Sequence, residues 1–378
     1  MSDLESPRRS TDAEMRKELA DRTVELCEIP SETGDEARIA SHVEEFCRMH
    51  AGVPNVHRTG NSVVCEPDPG AEGDTRPRIA LVGHLDTVRC AESQPTGIRG
   101  DRVYGCGATD MKAGVATMMS LLERWRSLTA GARPVWIFYD KEEGPNDENG
   151  LEPVLESGIV PPLDLALVLE PTDRSLQMGC MGTTHATVTV HGKRAHSARP
   201  WFGENALYKA ARLLERFAHL ERRPVRFGEL TFYEVMVVTA AWTENSANVV
   251  PDRAMLNVNV RFAPGRSAAE AEAELREFVG EAGSVTIRDV APSGAVYLEH
   301  PLLDLWRERR SLPVAPKQAW TDVARFTARG IPAVNFGPGE TEQAHQAGEW
   351  CSIESLEFVF TNLWDFFVGL SPAAAAGE

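Results

Sequence analysis

Three apolar segments of the sequence end in acidic or imidazole side chains, and this pattern constrains the fold more than any other feature. They are residues 78–88 (RIALVGHLDTV), 134–143 (PVWIFYDKEE) and 163–173 (LDLALVLEPTD). Each is short and almost continuously apolar, which is typical of a strand buried on both faces of a sheet. Residues 114–125 (GVATMMSLLERW) between the first two are amphipathic and predict a helix. This alternation indicates an α/β domain with a mostly parallel central sheet, in which ligands gather beyond the carboxyl ends of the strands.

The middle of the chain has a different pattern. After Asp173 the sequence predicts a β-α-β-β-α-β order with alternating strands, which favours a ferredoxin-like α+β domain with one open sheet face. After Ala291 the α/β pattern returns, so the second domain is predicted to be inserted into the first. The predicted boundaries are 1–177 and 292–378 for the two parts of the catalytic domain, and 178–291 for the inserted domain.

The charge balance excludes several kinds of partner. A net charge of -17 and a pI near 5.1 disfavour binding to nucleic acid or to an anionic membrane surface. No segment approaches the roughly 18 apolar residues that span a bilayer, and residues 1–15 lack the apolar segment of a signal peptide. We therefore expect a cytoplasmic protein whose site supplies its own positive charge for any anionic substrate.

The seven cysteines are scattered and form no C-x-x-C pair. This spacing argues against a disulfide framework and against a thiolate zinc site. We expect the cysteines to be reduced and mainly structural.

Several polar residues at the predicted strand ends are candidates for metal chemistry. His84 and Asp86 lie two positions apart, so both side chains point to one face of an extended segment. Such a pair suits a zinc ligand and its supporting carboxylate, but it is also typical of a buried histidine tethered by a neighbour. Asp110 follows a glycine-rich loop and is either a ligand or a helix N-cap. The adjacent Glu142 and Glu143 are either a ligand and a base or two solvated acids.

The complete set is more specific than its members. Glu170 ends the third apolar segment, and His345 lies in a polar, glycine-rich loop after a further predicted strand. Carboxylates and imidazoles without a thiolate suit one or two Zn²⁺ or similar ions. The joint occurrence of these residues at predicted strand ends therefore favours a metal site. A nucleotide enzyme is disfavoured, because residues 105–110 (GCGATD) have neither the P-loop lysine nor the Rossmann spacing.

The ordered motifs GHLDTV, GATDMKAG, EE, EPT and AHQ resemble those of the co-catalytic zinc carboxypeptidases, aminoacylases and deacylases. The resemblance runs from about residue 15 to residue 370 and implies a zinc-peptidase-like catalytic domain with two zinc ions per subunit. It implies that Asp110 bridges the two ions. It assigns His84 and Glu170 to one ion, and Glu143 and His345 to the other. Co²⁺ or Mn²⁺ is expected to be able to substitute.

The same resemblance assigns the remaining catalytic roles. Glu142 matches the general base, Asp86 the carboxylate that orients His84, and the bond from Asp110 to Met111 a cis peptide. His196 matches a histidine that reaches the active site of the partner subunit, which implies a homodimer. Considered alone, His196 is more typical of a structural residue in a turn.

Three longer stretches, residues 194–207, 248–267 and 320–346, are most similar to the succinyl-diaminopimelate desuccinylases of the actinobacterial type. The resemblance implies an N-acyl amino acid substrate, N-succinyl-LL-2,6-diaminopimelate, contacted by Asn248, Arg261 and Thr321. Arginine can bind a carboxylate with two hydrogen bonds, and an ordinary strand salt bridge is an equally good explanation for Arg261. Some relatives carry arginine where this chain has Cys180 and Met181.

Other functions on the same scaffold stay open. An acetylornithine deacetylase, an aminoacylase or a metallo-dipeptidase or carboxypeptidase would share these motifs, because specificity depends on pocket residues. A non-catalytic metal-binding relative is disfavoured by the presence of Glu142 beside the intact set of expected ligands.

Overall fold

The computed structural model describes residues 12–91, 94–128 and 131–370. These residues form nine α-helices: α1 (Asp12–Cys27), α2 (Ala37–Ala51), α3 (Ala113–Glu123), α4 (Leu151–Glu156), α5 (Ala206–Ala218), α6 (Ala268–Val279), α7 (Pro301–Arg310), α8 (Val323–Ala328) and α9 (Ile353–Gly369). They also form eighteen strands: β1 (Val56–Thr59), β2 (Ser62–Cys65), β3 (Arg78–His84), β4 (Gly97–Arg99), β5 (Arg102–Tyr104), β6 (Arg133–Tyr139), β7 (Leu165–Pro171), β8 (Leu176–Met178), β9 (Gly182–His191), β10 (Ala195–His196), β11 (Arg223–Phe227), β12 (Leu230–Trp242), β13 (Val249–Val250), β14 (Arg253–Phe262), β15 (Ser284–Ala291), β16 (Val314–Pro316), β17 (Ala333–Gly337) and β18 (Trp350–Ser352).

The largest sheet has eight strands in the order β1-β2-β6-β3-β7-β17-β8-β16. The central strands β6, β3, β7 and β17 are parallel, whereas β1, β2 and β8 pair antiparallel at the flanks. Every residue of β6 and β7 is buried, and so is all of β3 except its first residue. The prediction of a mostly parallel central sheet from apolar segments is confirmed.

The chain divides into two compact units, and the first contains this sheet. Unit 1 consists of the described residues within 1–178, 297–315 and 325–378. Its helices α1, α3 and α9 contact one another, and α3 is buried along ten of its eleven residues. A small three-stranded sheet, β18-β5-β4, also belongs to this unit and flanks the loop that leads into α3.

Unit 2 consists of residues 179–296 and 316–324. It contains a five-stranded antiparallel sheet in the order β11-β12-β14-β9-β15. Helices α5 and α6 pack on one face, where alternate residues of β9 and β14 are buried and apolar. This α+β arrangement agrees with the predicted fold class, and the exact boundaries 178 and 291 stay predictions.

One expectation about the cysteines is wrong. Cys90 and Cys106 form a disulfide, with their Cα atoms 5.8 Å apart. The two cysteines are 16 positions apart in the sequence, and only the fold brings the loop after β3 beside the loop after β5. The other five cysteines are free and buried, as expected for structural residues.

No helix in the described part of the chain is both long enough and apolar enough to cross a membrane. The first eleven residues of the N-terminal segment examined for a signal peptide lie outside the described residues.

Candidate metal centre

Parallel strands bring the candidate residues of unit 1 to one edge of its large sheet. His84 is the last residue of β3 and lies opposite Tyr139, the last residue of β6. Glu170 is the penultimate residue of β7, which pairs with the other edge of β3. The next parallel strand, β17, leads into the loop that carries His345. Residues far apart in sequence therefore meet beyond the carboxyl ends of adjacent strands.

Asp110 lies between the two histidines. Its Oδ1 is 3.1 Å from Nε2 of His84, and its Oδ2 is 3.4 Å from Nε2 of His345. The backbone of Asp110 is not helical, and its side chain caps no helix, so the N-cap explanation fails. The peptide bond from Asp110 to Met111 is cis, as the resemblance implied. One carboxylate thus faces two separate imidazoles with its two oxygens.

Three overlapping groups of side chains have ligand atoms within 4.8 Å of one another, and each group could hold a metal ion. All five predicted ligands and the predicted base occur in them. The groups are His84–Asp110–Glu170, Asp110–Glu143–His345 and His84–Glu142–Glu143.

The neighbouring carboxylates raise the pKa values of both imidazoles. Burial opposes protonation of His84, but its hydrogen bonds with Asp110 and Asp86 outweigh burial and hold its pKa well above the ordinary value. Hydrogen bonds with Asp110 and Glu143 raise the pKa of His345 to about 10. Burial, followed by the charge of Asp110, raises the pKa of Glu143. The cluster therefore favours positive charge in its interior.

This charge balance fits a metal. The three groups together contain four carboxylates and two imidazoles, all hard or borderline donors without a thiolate. Partly buried acids at this density repel one another unless cations lie between them. The donor chemistry matches one or two divalent ions, with Asp110 placed to be shared.

Asp86 does more than the sequence predicted. Nδ1 of His84 is 3.0 Å from the backbone oxygen of Asp86 and 3.4 Å from its Oδ1. The same carboxylate accepts the backbone N–H groups of Glu142 at 2.9 Å and Glu143 at 3.0 Å, and the hydroxyl of Thr33 at 2.9 Å. Asp86 therefore anchors the turn that carries both glutamates as well as contacting the histidine.

The other predicted site residues lie in unit 2. His196 ends the short strand β10 and is exposed, and its Nδ1 accepts the N–H of Ala198 at 3.0 Å. The backbone carbonyl of Asn248 accepts the N–H of Ser197 at 2.9 Å. Thr321 is buried, and its hydroxyl has no hydrogen-bond partner in the described structure.

Arg261 lies on β14 opposite Thr183 of β9. Within the described residues it forms no ion pair, so the strand salt bridge considered from the sequence is absent. Burial lowers its pKa, which is expected of a guanidinium removed from water without a balancing carboxylate. The hydroxyl of Thr183 is also buried and without a hydrogen-bond partner among the described residues.

Glu349 lies beside the candidate metal centre, and the sequence did not indicate it. Its buried carboxylate contacts the loop that carries Asp110. Burial raises its pKa to about 7, although hydrogen bonds from backbone N–H groups act in the opposite direction. In the sequence it is simply an acid in a polar loop, and no motif distinguishes it.

Comparison with known proteins places these observations in a family context. The model of peptidase family M20/M25/M40 matches residues 80–363. A candidate succinyl-diaminopimelate desuccinylase, DapE, of Mycobacterium tuberculosis is 36% identical over 88% of this chain and 93% of its own length. The succinyl-diaminopimelate desuccinylase of Corynebacterium glutamicum is 34% identical over 88% of this chain and 92% of its own.

A solved structure shares the fold. The YXEP protein of Bacillus subtilis, a dinuclear metal-binding peptidase, superposes with a TM-score of 0.63 at 16% identity. The match covers 95% of this chain and 98% of that chain.

Proposed function

The chain belongs to peptidase family M20/M25/M40, and we propose that it hydrolyses the amide bond of N-succinyl-LL-2,6-diaminopimelate to succinate and LL-2,6-diaminopimelate. The observation that carries the proposal is the position of Asp110, whose two oxygens face His84 and His345 within overlapping ligand groups. The desuccinylase names of the similar proteins support the choice of substrate.

The proposed cofactor is a pair of zinc ions, which Co²⁺ or Mn²⁺ can replace. His84 and Glu170 would hold one ion, Glu143 and His345 the other, and Asp110 both. Such ions supply Lewis-acid polarisation of the amide carbonyl and of the attacking water. The remaining chemistry belongs to the side chains of the protein.

Glu142 is the proposed general base. Its carboxylate takes a proton from the attacking water and delivers that proton to the amide nitrogen, so that the amine leaves when the carbon–nitrogen bond breaks. The hydrogen bond from the backbone N–H of Glu142 to Asp86 fixes the start of this side chain. Asp86 thereby positions the base while it contacts His84.

Arg261 is the proposed anchor for a substrate carboxylate, with Thr321 and Asn248 as further contacts. A partly buried guanidinium without an ion-pair partner among the described residues gains one when a carboxylate binds, and arginine can bind it with two parallel hydrogen bonds. The buried hydroxyl of Thr321 offers a donor without a competing partner in the described structure. Because Cys180 and Met181 cannot supply a positive charge, Arg261 would carry more of this role than in relatives with arginine there.

A homodimer is part of the proposal, with His196 stabilising the oxyanion in the site of the partner subunit. Exposed aromatic side chains lie close to His196 in sequence: Trp201 is 71% exposed, Phe202 63% and Tyr208 75%. Exposed aromatic groups of this size are typical of an interface, and a second copy of the chain is the occupant we propose. A cytoplasmic location also belongs to the proposal.

The substrate is tested by assaying the zinc-loaded protein with three amides in parallel: N-succinyl-LL-2,6-diaminopimelate, N-acetylornithine and a dipeptide. We expect the highest kcat/KM with the succinylated substrate. A higher kcat/KM with N-acetylornithine or the dipeptide would show that the proposed substrate is wrong. The proposed amidohydrolase chemistry would not be contradicted.

The role of Arg261 is tested in the same assay with Arg261→Lys. Lysine keeps the charge but loses the paired hydrogen bonds, so KM for the succinylated substrate should rise more than kcat falls. An unchanged KM would remove Arg261 from the substrate contacts.

A further inference from the structure

The carboxylate of Glu349 holds the backbone of the loop that presents Asp110. Its Oε2 accepts the N–H of Gly107 at 2.9 Å, and its Oε1 accepts those of Thr109 at 2.7 Å and Asp110 at 2.9 Å. Only 4% of Glu349 is exposed. A buried carboxylate is costly unless it is hydrogen-bonded, and here three backbone donors of one short loop point at it.

The main chain around Glu349 is tied to the same loop. Its carbonyl accepts the N–H of Gly105 at 3.3 Å, and this hydrogen bond lies next to the paired residues Trp350 of β18 and Tyr104 of β5. The hydroxyl of Thr109 donates to the carbonyl of Trp350 at 2.7 Å. Glu349 is therefore fixed at both its backbone and its side chain, which makes it a rigid support.

Glu349 also belongs to the segment that carries His345, four residues earlier. The loop of the shared aspartate and the loop of the second histidine are thus joined through one side chain. Lys112 lies at the other end of the aspartate loop and is buried. Its Nζ donates to the carbonyl of Ile29 at 2.9 Å. Its positive charge also interacts favourably with the carboxylate of Glu349.

We propose that Glu349 is a positioning residue that orients Asp110 so that its two oxygens serve two metal ions at once. This inference rests on the proposed two-metal function. Without the carboxylate, the N–H groups of Gly107, Thr109 and Asp110 lose their acceptor and the loop can rotate. Asp110 would then still reach one ion but would no longer be fixed for both.

The test is a titration of the metal-free protein with Co²⁺. Calorimetry measures the affinity for each ion, and electron paramagnetic resonance detects magnetic coupling between the two ions. Wild type should bind two ions per chain and show coupling. Glu349→Gln keeps the volume but turns an N–H₂ group toward backbone donors, so the affinity for the second ion should fall roughly 10- to 100-fold, as is usual when a group supporting a ligand is lost. Coupling should be lost in parallel.

Glu340→Gln is the matched control. Glu340 lies in the same C-terminal segment and accepts hydrogen bonds from the backbone and hydroxyl of Ser352. Among the described residues its carboxylate accepts no hydrogen bond from the N–H groups of Gly107, Thr109 or Asp110, all of which donate to Glu349. Both Co²⁺ affinities should stay at wild-type values in this variant. Glu349→Asp, which keeps the charge on a shorter side chain, should be intermediate, and it decides the question if circular dichroism shows that Glu349→Gln does not fold.

The outcomes separate the two proposals. Two ions with wild-type affinity in Glu349→Gln, or in Glu349→Asp when only that variant folds, overturn the positioning role and leave the proposed function intact. If wild type itself binds no second ion, the two-metal function fails and this inference with it. Equal weakening in Glu340→Gln would also overturn the inference, because the effect would then be a general one on the segment.

Discussion

At the residue scale, the adjacent acids Glu142 and Glu143 should have separable roles. Oε1 of Glu143 is 2.9 Å from Nε2 of His345, and Glu143 is a proposed metal ligand. Glu142 is the proposed base. Glu142→Gln should lower kcat on the order of 10³-fold or more, because an amide cannot take the proton from water, and should keep its full metal content. Glu143→Gln should instead lose metal from one site, which elemental analysis of both purified variants would show.

The reverse pattern, with metal lost from Glu142→Gln and retained in Glu143→Gln, would exchange the two assignments. The group His84–Glu142–Glu143 makes this comparison necessary, since it places both acids within ligand distance of one histidine.

Residue types at strand ends were sufficient to predict which side chains meet, but not what each backbone contact does. His84 and Glu170 could be selected because imidazoles and acids at the ends of apolar strands are unusual, whereas the assignment of Asp110 depended on the motif resemblance. The second role of Asp86 and the role of Glu349 depend on backbone N–H groups that converge only in the folded chain. Such contacts leave no mark on residue identity, because every residue except proline carries the same donor.

At the element scale, the ion pairs between α4 and the residues near α8 should make the stability depend on pH. Hydrogen bonds with Arg329 and, despite burial, with Arg325 hold the pKa of Glu152 below its usual range. A depressed folded-state pKa contributes stability above the unfolded value, and that contribution is lost as the pH falls through the folded-state pKa. Glu152→Gln should therefore be less stable than wild type at pH 7.

The loss should be less than about 1 kcal/mol, because these side chains are partly exposed. Urea denaturation at pH 7 and at successively lower pH measures the free energy of unfolding of both proteins. The two free energies should become equal on the acid side of pH 4.5. A difference that stays constant over this range would show that the charge of Glu152 is not responsible.

Elements with strong periodicity could be predicted from the sequence, and weak or edge elements could not. The sequence predicts the apolar runs of β3, β6 and β7 and the amphipathic α3 within a few residues of their observed ends. Strands β1 and β2 were missed, because four-residue strands at a sheet flank bury too little apolar surface to stand out. The disulfide of Cys90 and Cys106 was missed because it joins loops whose proximity depends on the whole sheet.

At the scale of the whole molecule, activity should depend on metal reversibly. Removal of metal with a chelator should abolish hydrolysis and lower the melting temperature, since the ions bind only the folded arrangement of residues from distant parts of the chain. Addition of Zn²⁺ or Co²⁺, and to some extent Mn²⁺, should restore both activity and melting temperature. A fully active enzyme from which all metal has been removed would contradict the proposed mechanism.

His196 should act in the active site of a partner subunit. His196 is exposed on unit 2, near the exposed Trp201, Phe202 and Tyr208, and its proposed role is in the site of a second copy. His196→Ala and Glu142→Ala should each be inactive as homodimers. The two are mixed in equal amounts under conditions in which subunits exchange, and exchange is verified with differently labelled chains.

If His196 acts across the interface, a mixed dimer has one site with both defects and one site with neither. Random pairing makes about half of the dimers mixed, and each has one working site of two, so activity should recover to about a quarter of wild type. If His196 acts within its own chain, every site in every dimer carries one defect, and the mixture stays inactive however completely the subunits exchange. An inactive mixture with demonstrated exchange would therefore contradict the role of His196 in the partner's site. It would not affect the ligand cluster around Asp110 or the chemistry proposed for Glu142, because those residues all belong to unit 1 of a single chain.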